Sequence, residues 1–136
     1  MKSRVVVTII IKKGEKFLLG RKPDNVGPYP NTWHLVGGGV DLETENIEEA
    51  VNREVKEEAG IILKKVKRLT FGEDYEPNKH GEVVHYLFLV YEGEYASGKL
   101  VAGDDIQELR WFSRQELKTL PLTQPSAKLF PELGII

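Results

Sequence analysis

The stretch ENIEEAVNREVKEEAGI, residues 45–61, decides how the chain is read. Asn46 followed three residues later by Glu49 offers a reciprocal cap that starts a helix, and Gly60 is a natural place for it to stop. At about 100° per residue, with Ile47 set at zero, Ala50 falls near 300°, Val51 near 40°, Val55 near 80° and Ala59 near 120°. These four residues and Ile47 define one apolar stripe. Glu54 near 340° and Glu58 near 20° fall inside that stripe, and Glu57 near 280° lies on its flank. Glu49, Asn52 and Lys56 point the opposite way, where charge is expected. A packed helix face therefore carries carboxylates.

A carboxylate on a packed face is disfavoured by several kcal/mol unless something compensates its charge, and it otherwise takes up a proton. Two carboxylates one turn apart also repel each other. A divalent cation resolves both difficulties. Glu54 and Glu58 are separated by about 6 Å of helix rise, so their oxygens can converge on one ion or an adjacent pair. Ligation by oxygen without His or Cys favours Mg²⁺ or Mn²⁺ over zinc. Arg53 has two readings. It forms a surface pair with Glu57 four residues on, or it holds a carboxylate in one orientation through a forked hydrogen bond.

The rest of the chain supplies a scaffold. Its 136 residues, 40% hydrophobic and 29% charged, fit one globular domain, residues 1–136, with a core of its own. VVVTIII (5–11) and KFLLGRK (16–22) flank the turn at Gly14 and read as a hairpin. PDNVGPYPNT (23–32) reads as a loop, and WHLV (33–36) as a short strand running into Gly37-Gly38-Gly39. Further strands are expected near 61–71, 83–93 and 108–112. Ser113 and Glu116 cap a helix that passes through Leu117 and Leu120 to Pro121, and a last helix begins near Pro125. Strands around an internal helix, with helices at the C-terminal end, predict an α/β layered fold on a mixed sheet.

No run of residues is long and apolar enough to suggest a membrane span. The absence of cysteine fits a cytoplasmic location and excludes thiolate sites and disulfides. A net charge of −2, with both signs interspersed, argues against a nucleic-acid groove. An anionic ligand would need arginines or a metal to be accepted here.

Gly39, Glu45, Arg53-Glu54-Val55, Glu57-Glu58, Gly60 and Ile61 together resemble the Nudix box, G-x5-E-x7-R-E-U-x-E-E-x-G-U, where U is a bulky aliphatic residue. Every specified position matches at its required spacing. The resemblance implies a Nudix-type α/β/α sandwich with a central mixed sheet. It also implies an enzyme that uses Mg²⁺ or Mn²⁺ to hydrolyse a nucleoside diphosphate linked to another group. Candidate substrates are a nucleoside triphosphate, ADP-ribose or a nucleotide sugar. The family pattern makes Glu54, Glu57 and Glu58 metal ligands with the Gly38 carbonyl, and Glu45 a brace held through Arg53. Val36 stands where the pattern usually has proline, and three glycines stand where two are usual, so the carbonyl that faces the metal is left open.

The catalytic set implied is Glu57, Glu58 and Arg53, with Glu108 as a further candidate base and Asp105 as the second choice. Arg21 matches a position where the family often carries a basic residue near the substrate phosphates. The polar segment GEDYEPNKHGE (72–82) reads as a substrate-facing loop, in which Tyr75 could stack on a base. Trp33 and Trp111 read as core, and His85 as a half-buried strand residue. The expected partner is a small nucleotide, with no nucleic acid and no membrane, and the pattern leaves room for a homodimer. A regulatory module that binds a nucleotide without cleaving it is the alternative. Prenyl diphosphate isomerisation is disfavoured for want of a cysteine.

Overall fold

β1 (Lys2–Lys13) is the central strand of the computed structural model, which describes residues 1–23, 31–78, 80–103 and 105–136. Its run of β-branched residues is apolar on consecutive positions, as expected of a strand covered on both faces. Val7, Ile9 and Ile11 enter one core cluster and Ile10 the other. β1 turns at Gly14 into β2 (Lys16–Arg21), where only the pairs Lys12–Phe17 and Lys13–Lys16 hold the hairpin together. β2 then diverges to pair with β3 (Trp33–His34) on one side and β7 (Glu108–Phe112) on the other.

The space that the divergence leaves beside β1 is taken by β4 (Val36–Gly39), antiparallel from Val6–Gly39 to Ile9–Val36. On its other side β1 pairs in parallel with β6 (Val83–Ser97), and β6 pairs antiparallel with β5 (Ile62–Pro77). The sheet is therefore mixed, as expected. Helix α1 (Ile47–Ala59) covers one face, and α2 (Arg114–Leu117) and α3 (Gln124–Glu132) lie with the cluster on the other.

α1 starts and ends where its caps require. The Glu49 N–H donates to Asn46 Oδ1 at 2.8 Å, and the Asn46 N–H donates back to Glu49 Oε1 at 3.0 Å. Gly60 adopts φ of 73°, the left-handed conformation that glycine takes with least cost, and its N–H donates to the Lys56 carbonyl. Ala50, Val51, Val55 and Ala59 are buried against β1 and β4. Burial of Val51 and Val55 contributes about 1.5–3 kcal/mol each.

Three expectations need correction. The segment from Gly72 to Pro77 is not a loop. It continues β5 in register with β6, from Gly72–Phe88 to Pro77–Val83, so the connection shrinks to a turn. Its residues alternate between half-buried and exposed, and the charges sit on an edge strand, where they block pairing with another chain. The helix after Ser113 has the expected capping box but ends at Leu117 after one turn. WHLV is not one strand, because Leu35 separates β3 from β4 as the chain crosses from β2 to β1. Most of the loop expected at 23–32 lies outside the described residues. No described helix is long and apolar enough to cross a membrane.

Candidate active site

α1 brings its acids against β4. Glu54 and Glu58 are 7% and 9% exposed, among Val51, Val55 and Ala59, as the wheel requires. Glu57 faces outward and its side chain is about half exposed.

Each carboxylate has a fixed direction. The Gly37 N–H donates to Glu58 Oε1 at 2.9 Å. Arg53 Nη1 donates to Glu54 Oε1 at 3.0 Å and to Glu57 Oε2 at 3.1 Å. The rest of the guanidinium points back towards the box entrance. Nε and Nη2 form a fork on Glu45 at 2.8 and 2.7 Å, and Nη2 also donates to the Gly39 carbonyl at 3.0 Å. The two readings of Arg53 thus hold together: it pairs with Glu57 and it forks a carboxylate. A guanidinium has five N–H donors, and five acceptors meet this one.

The Arg53 fork, helped by the Asp41 N–H, holds the Glu45 carboxyl far below its ordinary range, at about 2. Glu45 first, and then Glu54, raise the Arg53 pKa further above its already high value.

The glycines have separate reasons. A Cβ at Gly38 would lie 2.5 Å from Glu54 Oε1 and 2.6 Å from its Cδ, so the carboxylate rests against bare backbone. A Cβ at Gly37 would run into the Val7 carbonyl of the neighbouring strand. With the Gly39 carbonyl engaged by Arg53 and the Gly37 N–H by Glu58, Gly38 is the glycine packed closest on an acid. Val36, where the box usually has proline, is fully buried opposite Ile9.

A cavity of about 570 Å³ opens in front of Gly37, Gly38 and Glu58, bounded by the sheet and by α3. This size suits a small-molecule ligand. Asp105 is on its wall. The approach to Asp105 is set by backbone pairing, for the Val101 and Gly103 N–H groups donate to the Ala59 and Glu58 carbonyls at 3.0 and 3.2 Å. Those are carbonyls at the end of α1, which a helix leaves without internal partners.

Glu108 sits elsewhere. It lies across from Arg21 in the β2–β7 ladder, with Arg21 Nε at 3.2 Å and Arg110 Nε at 2.6 Å. Arg110 first, then Arg21, hold its carboxyl below the ordinary range. Arg21 also reaches Asn31 Oδ1 at 3.3 Å, and the cavity wall itself carries its neighbour Lys22 and, from α3, Lys128. Tyr75 stacks on His85, ring centroids 4.8 Å apart, and His85 Nε2 meets Glu73 at 2.6 Å. Trp33 is buried and Trp111 packs at the edge of the core.

Sequence reasoning passed over His34. Its ring lies on the cavity wall, and its Nδ1–H donates to the Leu35 carbonyl at 2.9 Å. Nε2 is buried without a hydrogen-bond partner among the described residues. Burial holds the His34 pKa below its ordinary value, with Lys22 adding to the effect. Nothing in the sequence sets this histidine apart.

A family model described as the NUDIX domain matches residues 1–133. The chain belongs to the Nudix family. It is a Nudix pyrophosphohydrolase. Among curated Nudix relatives, "Nucleoside triphosphatase NudI" of Escherichia fergusonii is 28% identical over 142 aligned positions, covering 100% of both chains. The protein of the same name from Salmonella agona is 32% identical over 123 positions, 86% of each chain. Among solved structures, a MutT NUDIX hydrolase from Burkholderia pseudomallei superposes with a TM-score of 0.82 at 28% identity, covering 98% of this chain and 99% of that one. The NUDIX domain of Shewanella oneidensis NrtR, crystallised with ADP ribose, superposes at 0.81 over 98% of this chain and 88% of that one. At 15% identity it shares the fold.

Proposed function

We propose that this Nudix protein hydrolyses nucleoside triphosphates with the help of Mg²⁺ or Mn²⁺, cleaving one pyrophosphate linkage to give two phosphorylated products. The observation that carries the reading is the pair of acids, Glu54 and Glu58, buried on an apolar helix face and aimed at a glycine strand that borders the cavity. The choice of a triphosphate rests on relatives of that activity, similar over most or all of the chain.

The residues fit a hard cation. Their donors are all oxygen, which suits Mg²⁺ or Mn²⁺, and the missing Cβ of Gly38 leaves backbone open beside the Glu54 carboxylate. Among the described residues no three acidic or histidine side chains already form a cage, since Glu54 and Glu57 turn to Arg53 and Glu58 turns to Gly37. Glu54, Glu57, Glu58 and the Gly38 carbonyl would hold the ion. When bound, it neutralises the phosphates, acidifies a water and stabilises the leaving oxygen.

The chain's own groups prepare that chemistry. Arg53 keeps Glu54 and Glu57 in one orientation and the Gly37 N–H does the same for Glu58. Asp105, facing the cavity while Glu108 is held by two arginines, is the better placed carboxylate to take a proton from the attacking water. The water oxygen bonds to one phosphorus and the bridging oxygen leaves with the other.

The test is turnover of nucleoside triphosphates, ADP-ribose, NADH, dinucleoside polyphosphates and GDP-sugars with Mg²⁺, Mn²⁺ or a chelator. A triphosphate should give the highest kcat/KM and the chelator should abolish it. Preference for another member of the panel overturns the substrate, and no turnover at all overturns the reading. Glu58→Gln keeps an acceptor for the Gly37 N–H and should retain the fold, while kcat falls by about 10²-fold or more through loss of charge stabilisation.

A further inference from the structure

One row of residues crosses four strands at the same level. Gly39 on β4 lies opposite Val6 on β1, Val6 lies opposite Phe88 on β6, and Phe88 lies opposite Gly72 on β5. Directly paired residues share a face of the sheet. Val6, Phe88 and Gly72 all line the cavity that contains Glu58. Strands stand about 4.8 Å apart, which places Phe88 roughly 10 Å from the glycine strand. That distance approximates the reach from a nucleotide's phosphates to its base.

Phe88 is half-buried, with Tyr86 stacked beside it at 6.0 Å between centroids. Its directly paired neighbour on β5 is Gly72, which brings no side chain over it. Among the described residues a Cβ there would meet no atom within 4 Å, and the backbone φ is not in the left-handed region. Gly72 therefore meets no conformational need of its own backbone. A glycine inside a strand weakens it, so one that neither geometry nor packing requires calls for another explanation.

We propose that Phe88 is the stacking platform for the substrate's nucleobase and that Gly72 keeps the space over that ring open. This rests on the nucleoside triphosphate reading above for the nature of the ring. An aromatic face binds any base by stacking, which accommodates several nucleosides and ranks them by ring size. Position 72 then sets specificity by volume: a side chain there narrows the slot and rejects purines before pyrimidines.

The test is Gly72→Val. Valine suits a strand and the space is free, so Tm should hold or rise. KM for purine nucleoside triphosphates should increase by about tenfold or more with kcat little changed, the size expected when base stacking is lost. Phe88→Leu should raise KM similarly. Inhibition by inorganic pyrophosphate, which has no base, should be unaffected by either change.

Calorimetry with adenosine and guanosine monophosphate provides the arm that is independent of turnover. Binding to the wild type weakened about tenfold by Gly72→Val supports the platform even if triphosphates are not cleaved, in which case only the triphosphatase reading falls. A folded Gly72→Val protein with unchanged KM and unchanged monophosphate affinity overturns the proposal, as does a wild type that binds neither monophosphate.

Discussion

Gly37 and Gly38 are adjacent, yet a methyl group should do opposite things at the two positions. In Gly38→Ala the new Cβ starts 2.5 Å from Glu54 Oε1, whereas ordinary contact begins at 3.4 Å, so the carboxylate must retreat by about 0.9 Å. It is the far end of a flexible side chain, and the backbone need not move. Displacing a catalytic group by about 1 Å costs about 10²-fold in rate, or about 2.7 kcal/mol in the barrier. In Gly37→Ala the Cβ meets the Val7 carbonyl of the central strand, which cannot yield without disturbing the β1–β4 ladder. Overpacking of this kind costs about 1–3 kcal/mol of stability. The assay is kcat/KM with the preferred triphosphate beside thermal unfolding for both variants. Gly38→Ala should lose about 10²-fold in activity with Tm nearly unchanged, and Gly37→Ala should lose several degrees of Tm. Full activity in a folded Gly38→Ala protein would refute the argument, because Glu54 would then have no part in the chemistry.

Three further outcomes are expected. Asp105→Asn should lower kcat by about 10²-fold, and Glu108→Gln by less than about threefold, in steady-state assays at neutral pH. The reverse order would return the base to Glu108. The Glu45 carboxyl has a folded pKa of about 2, depressed from 4.5, so its contribution to stability is fully present above about pH 4.5 and is lost as pH falls towards 2. Urea unfolding at a series of pH values should show Glu45→Gln losing less stability than wild type across that window. Mn²⁺ at about 100 times its Kd should stabilise the wild type by about 2.7 kcal/mol, and Glu58→Gln by much less, when followed by thermal unfolding.

The site was most legible where local rules act. Asn46, Glu49 and Gly60 announce the ends of α1, and periodicity alone turns Glu54 and Glu58 inward, because these signals reside within one helix. What escaped depends on distant partners. The parallel pairing of β1 with β6 joins residues more than 80 positions apart, from Lys2–Val84 onward. The polar outer half of β5 resembles a loop until β6 is laid beside it. The proposed preference for Asp105 over Glu108 arises only once the Val101–Gly103 backbone is seen docked on the end of α1 and Glu108 is seen between Arg21 and Arg110. One-dimensional spacing cannot separate two acids three residues apart.

The full engagement of Arg53 reaches beyond orientation. A guanidinium that has given every hydrogen to protein oxygens has none for an incoming polyphosphate, and it stands among the acids that would repel one. Under the proposed metal dependence, attraction of an anion into this acidic corner then rests on dissolved dications beside Lys22 and Lys128 of the cavity wall. On that proposal, uptake of the nucleotide should track free magnesium or manganese in the surroundings, so that the supply of those ions would throttle the enzyme.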